Sequence, residues 1–140
     1  MASQIKVTDK GFLSKDITVT DLITHRGDIH HIFPKEYLKK NGLKKSEYNQ
    51  IANYVYMQSE INIKIGDKSP KIYFEELEKQ CNGNKLLYGG IDDLKKLDEN
   101  LVMNCIPISV KKMEIQNYAE FLKQRRQLMA EKIKEYYFSL

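Results

Sequence analysis

Apolar side chains at Ile115, Tyr118, Phe121, Leu122, Leu128, Met129, Ile133 and Tyr136 recur at the spacing of an α-helix. The pattern predicts one long amphipathic helix over about Asn117 to Tyr137, with Asn117 and Glu120 placed like a capping box. A helix with one apolar face gains most of its stability by burying that face, so the rest of the chain must supply a core to cover it. The 140 residues suffice for one such core and not for two, and 1–140 reads as a single domain.

Composition narrows the class further. Hydrophobic residues make up 41% and charged residues 30%, which excludes wholesale disorder. No apolar run approaches the ~18 residues of a spanning helix, and Met1-Ala2-Ser3-Gln4-Ile5-Lys6 has no signal core. The expectation is a cytoplasmic protein without a membrane partner. Cys81 and Cys105 have no second cysteine or histidine at metal-ligand spacing, so they are expected to be buried, reduced thiols. The net charge of +4 is unevenly spread, with nine basic and five acidic residues in 26–71 and seven against four in 105–140. That is compatible with a polyanionic partner such as nucleic acid, and equally with a solvated lysine face.

Local signals place the remaining elements. Ile17-Thr18-Val19 has the β-branched composition of a strand, and Thr20 or Asp21 is placed to cap a helical turn after it. Asp28–Phe33, between Gly27 and Pro34, reads as a strand. Pro34 suits the first turn of a helix that Asn41-Gly42 stops, and Ser46 could cap a second one through Ile51-Ala52. Asn53 opens a strand ending at Met57. Ser59 caps a helix holding Asn62, and Gly66 stops it. Ser69-Pro70 begins a helix with Phe74, Leu77 and Cys81 on one face, and Asp92 is expected to cap the next. The fold class is therefore α+β: a small core over about 28–66, backed by a mostly helical half over about 69–140.

His30-His31 on the first strand, Asn53 at the second and Asn62 on the following helix form the constellation with chemical content. Phosphodiester hydrolysis needs an activated water and relief of charge on the phosphate and on the leaving oxygen. A neutral imidazole can take a proton from water near neutral pH. Adjacent strand residues point to opposite faces, so the two histidines must do different work.

His30-His31-Ile32-Phe33-Pro34, with Asn53 twenty-two residues after His31 and Asn62 nine after that, resembles an HNH nuclease in its H-N-N form. Gly27–Lys35, Ile51–Val55, Ile61–Gly66 and Phe121–Met129 are similar to the HNH domain that closes GmrSD-type, modification-dependent restriction proteins. The resemblance spans about residues 11–140. It implies a ββα-metal (His-Me finger) core and a metal-dependent DNA endonuclease, acting in restriction or defence and leaving 5′-phosphate ends. It implies His31 as general base and Asn53 as the residue tying the excursion loop to the first strand. His30 and Asn62 would hold the metal, with Mg²⁺ expected and Mn²⁺ or Ni²⁺ as alternatives. Two neutral ligands leave water and phosphate to complete the shell. Asp28 could add a carboxylate, orient His30, or only end the turn after Gly27; direct ligation is the less favoured of these. Lys64 and Lys68 on the final helix of the unit are the leading phosphate contacts, with Lys35, Lys39, Lys40, Lys44 and Lys45 in the excursion either phosphate contacts or a solvated face. Arg125-Arg126 could bind DNA or pair with glutamates on the helix surface. Tyr54 and Tyr56 are expected to pack, and His25 to stand outside the chemistry. In GmrSD-type relatives a nucleotide-dependent sensor precedes the domain, which makes this chain a fragment or a stand-alone descendant; Met1-Ala2-Ser3, as an expression scar, would favour the fragment. The alternative function is a catalytically inactive module of the same fold that binds nucleic acid or a partner.

Overall fold

The computed structural model describes residues 9–24 and 28–140. His25, Gly27 and the Met1–Ser3 segment lie outside the described residues, as does the Asp28 side chain. The architecture is α+β, with one two-stranded antiparallel sheet among helices. In chain order come α1 (Val19–Thr24), β1 (Asp28–His31), α2 (Lys35–Lys40), α3 (Lys45–Tyr48), β2 (Tyr54–Met57), α4 (Ser59–Ile65), α5 (Pro70–Cys81), α6 (Leu94–Met103) and α7 (Tyr118–Ser139). Short 3₁₀ turns at Ile51–Asn53, Ile108–Lys112 and Ile115–Asn117 join them.

Several helix starts differ from expectation by one to three residues, because side-chain oxygens compete to reach the first free N–H groups. The strand expected at Ile17–Val19 is instead the entry to α1. Thr18 N–H and Oγ1 both donate to Asp21 Oδ2 at 3.0 Å, and Asp21 N–H returns to Thr18 Oγ1 at 3.2 Å. This reciprocal cap outweighs the β-branched preference, and Thr18 keeps only an isolated bridge to Lys10. The second excursion helix runs Lys45–Tyr48, entered through Lys44, whose N–H donates to Glu47 Oε1 at 2.8 Å. Gln58, not Ser59, stands at the start of α4; its Oε1 accepts from Ser14 Oγ at 2.6 Å. Asp93, not Asp92, caps α6 through Lys95 and Lys96 N–H. Asn117 flanks α7 but forms no box with Glu120; it accepts from Glu114 N–H at 3.0 Å. Ser69 and Pro70 start α5 as their types require, and Gly66 ends α4 at φ +60°, a conformation a Cβ would strain.

Residues before the sheet belong to the same core. Phe12 N–H donates to Tyr56 O at 2.9 Å, setting Phe12 beside Met57. Phe12, Leu13, Phe33, Val55, Met57, Tyr73, Phe74, Leu77 and Phe121 are fully buried in one cluster. The core therefore crosses the boundary expected near residue 66. α7 supplies its apolar stripe to this cluster through Tyr118, Phe121, Leu122 and Met129. Cys81 is half-buried and Cys105 buried, and both are thiols.

Candidate active site

β1 and β2 pair in the register His31↔Tyr54, His30↔Val55, Ile29↔Tyr56 and Asp28↔Met57. Directly opposed residues share a face. His30 thus lies with Val55 and Met57, both fully buried, while His31 lies with Tyr54, Tyr56 and the half-exposed Ile29. α4 contributes Ile61 and Ile65 to the core cluster that also holds Val55 and Met57.

The peptide groups that follow His31 are all fastened. Ile32 N–H donates to Asn53 O at 2.9 Å, and Tyr73 OH donates to Ile32 O at 2.6 Å. Phe33 N–H donates to Asn53 Oδ1 at 2.8 Å, and Asn53 Nδ2 donates to Phe33 O at 3.0 Å. Asn53 is fully buried, so its amide spends its bonds on holding the end of β1. Arg125 fastens the other side. Its Nη1 donates to Ala52 O at 2.9 Å and to Tyr54 O at 2.7 Å, the carbonyls on either side of Asn53, and its Nη2 donates to Asn104 O at 3.2 Å. Arg125 is fully buried, not at the helix surface where its charge would place it. Burial pulls its guanidinium down to about 10, which leaves it charged at neutral pH.

His31 is half-buried between aromatic edges, 5.0 Å from the Tyr54 ring and 6.4 Å from the Tyr48 ring between centroids. Its Nε2 is 3.1 Å from Asn49 Oδ1. Lys35 Nζ lies 5.7 Å from the centre of the Tyr48 ring. Burial, above all, holds the His31 imidazole below its ordinary 6.5; the Asn49 contact opposes this, and the neighbouring Lys35 and His30 reinforce it. A neutral imidazole at pH 7 has the form a general base requires. The unfolded chain then binds this proton more readily than the folded one. The stabilisation from His31 is complete above pH 6.5 and is lost as pH falls through that value toward the folded pKa. Urea unfolding of wild type and His31→Gln between about pH 8 and about pH 5 should show the steeper acid loss in wild type. Identical pH slopes would mean that His31 carries no such shift.

The structure brings His31 and Asn53 together at the end of β1 and sets His30 on the opposite face, where its Nε2 is shielded from solvent. Asn62 is half-buried on α4. Among the described residues no group of three or more His, Cys, Asp or Glu side chains is gathered to hold a metal. An imidazole and an amide are neutral donors, a set that fits a hard divalent ion only when water and phosphate oxygens supply the rest of the shell. Lys64 is exposed on α4 and, among the described residues, has no carboxylate partner. Lys68 is engaged within the fold, 3.1 Å from Glu76 Oε1 and donating to Tyr88 OH at 2.8 Å. Lys40 pairs with Asp67, and Lys39 with Glu36 at 3.6 Å. Of Lys35, Lys64 and Lys68, the first two remain exposed to an incoming ligand.

Asn49, Tyr48 and Arg125 are not legible as site residues in the sequence. For Arg125 a signal exists: it falls seven residues after Tyr118 and four before Met129, inside the apolar stripe of α7. Asn49 offers none, since its meeting with His31 depends on how the excursion folds back.

The chain is 30% identical over 116 residues to an uncharacterized protein of Methanocaldococcus jannaschii; the match covers 76% of this chain and 20% of that protein. The chain thus spans about a fifth of the length of the relative it matches. No family model matches it, and neither does any solved structure. No helix among the described residues is long and apolar enough to cross a membrane.

Proposed function

We propose that this chain is an HNH-type nuclease domain with a ββα-metal core, hydrolysing phosphodiester bonds in DNA with His31 as general base. One observation carries the reading: a neutral, half-buried imidazole at a strand end whose following peptide groups are gripped by Asn53. A base that must meet a water at one angle needs such a fixed mount.

His31 takes a proton from a water molecule, and the water oxygen bonds to phosphorus opposite the 3′ oxygen. The P–O3′ bond breaks, its electron pair stays on the 3′ oxygen, and that oxygen takes a proton from solvent. The ends are 5′-phosphate and 3′-hydroxyl, and His31 returns its proton to solvent. His30 and Asn62 would hold a divalent ion, Mg²⁺ first and Mn²⁺ or Ni²⁺ as alternatives, which would relieve charge on the phosphate and the leaving oxygen. Exposed Lys35 and Lys64 contact DNA phosphates, giving affinity without sequence preference. A role in restriction or defence, and a nucleotide-dependent sensor elsewhere in a longer protein, follow from the same resemblance.

Nicking of supercoiled plasmid with Mg²⁺ or Mn²⁺, abolished by EDTA, tests the reading. The small neutral donor set gives a second reading some support: a module that binds DNA and cuts none. Salt-dependent DNA binding without nicking under either metal would establish that instead. For either reading, Lys35→Ala combined with Lys64→Ala should flatten the slope of log affinity against log salt, by roughly one unit for each phosphate deprived of its lysine. Lys68→Ala should leave the slope unchanged, because its ammonium is spent on Glu76 and Tyr88. A double variant with the wild-type slope would show Lys35 and Lys64 to be a solvated face.

A further inference from the structure

Asn49 is the polar residue that meets His31 from outside the strand pair. It follows α3, where its N–H donates to Lys45 O at 3.0 Å. The segment around it is tied to the rest of the fold. Tyr118 OH donates to Glu47 O at 2.8 Å, and Arg126 Nη2 donates to Gln50 Oε1 at 3.1 Å. Asn49 Oδ1 is thereby presented to His31 Nε2 at 3.1 Å from a fixed backbone. An amide oxygen can only accept, so the contact assigns the proton to Nε2 and the lone pair to Nδ1. The Tyr48 and Tyr54 rings flank the imidazole.

We propose that Asn49 is a positioning residue that holds His31 as its Nε2–H tautomer, so that Nδ1 is the atom that takes the proton from water. This rests on the nuclease reading above. A neutral imidazole is basic at one nitrogen only, and the partner of the other nitrogen chooses which. Without Asn49 the ring divides between tautomers and orientations, and the fraction with Nδ1 basic and aimed at the water falls. Loss of the hydrogen-bonded partner that orients a metal-ligating histidine lowers activity by about 10–100-fold, and a loss of the same order is expected where the oriented histidine is the base.

The test uses the whole chain labelled with ¹⁵N in histidine. Long-range ¹H–¹⁵N correlation spectra of the metal-free protein, above the imidazole's titration range, report the His31 tautomer, with His31→Ala assigning the signal. Wild type should show Nε2–H alone. Asn49→Leu, of similar size and without an acceptor, should show a mixture, with kcat for plasmid nicking down about 10–100-fold and KM for DNA unchanged. Asn49→Asp keeps an acceptor oxygen at that position and should restore both the tautomer and most of kcat. Asn49→Ala, which also lacks an acceptor, is the second deletion, for use if the leucine is not accommodated, with the same expected loss. Retention of the wild-type tautomer or of wild-type kcat by both deletions overturns the role of Asn49 alone. Absence of nicking by wild type overturns the nuclease reading and with it the catalytic purpose of Asn49, whatever the tautomer.

Discussion

His31→Ala is expected to lower metal-dependent plasmid nicking by ~10²–10⁴, the usual contribution of a positioned general base. DNA affinity and its salt dependence should be unchanged, because His31 contributes no fixed charge at neutral pH. The fold should tolerate the change, since the ring is only half-buried and the peptide groups beyond it are held by Asn53 and Tyr73 rather than by the imidazole. The measurement is single-turnover nicking beside a melting curve for the same preparation. A variant that melts like wild type and nicks at the wild-type rate removes His31 from the chemistry.

The second large effect belongs to stability. Arg125→Ala takes the donor from three carbonyls, those of Ala52, Tyr54 and Asn104. A buried carbonyl left without its donor costs about 1–3 kcal/mol. The deleted side chain also leaves a void in the core, offset in part because a buried charge no longer has to be kept from water. The expected net loss is roughly 3–5 kcal/mol, which for a domain of this size lowers the melting temperature by roughly 10–20 °C. Arg125→Lys should recover little, since one ammonium cannot span carbonyls that a planar fork reaches from two nitrogens. Thermal unfolding followed by circular dichroism checks this. A melting temperature within a few degrees of wild type would mean that those carbonyls find other donors. Because Ala52 and Tyr54 bracket Asn53, the surviving folded fraction should also nick poorly, and added metal should not restore it.

The long C-terminal helix, a strand beginning at Asp28 (read to Phe33 and ending at His31), the helix opened by Ser69-Pro70 and the stop at Gly66 are all legible in the residues. Each follows from forces acting within about one turn of chain: a stripe at helical spacing, a proline that fits only a first turn, a backbone angle that only glycine adopts cheaply. The pairing of Asn53 with the end of the first strand is expected only from the family resemblance, and the structure has Asn53 hydrogen-bonded to both peptide groups of Phe33. Cap identity is less legible. Thr18, Gln58 and Asp93 each stand one to three residues from the expected position, since neighbouring polar residues differ little in cost as caps and packing chooses among them.

What local reasoning could not reach are the contacts between segments far apart in sequence. Arg125 and Lys68 carry ordinary surface charges, and a charged residue is normally solvated. Arg125 is buried because α7 lies against the backbone at Ala52 and Tyr54, where carbonyls stand ready to accept from it. Lys68 is withdrawn from solvent because α5 brings Glu76, and the loop beyond brings Tyr88, within reach of its ammonium. Asn49 stands eighteen residues beyond His31 and meets it only because the excursion returns along the first strand. The sequence by itself determined where the polar and titratable side chains stand along the chain and most of the elements that carry them. Long-range packing determined which of those side chains are held, which are spent on internal partners, and which remain open to a ligand, because a hydrogen bond needs donor and acceptor within about 3 Å at a favourable angle and only the folded chain sets that geometry.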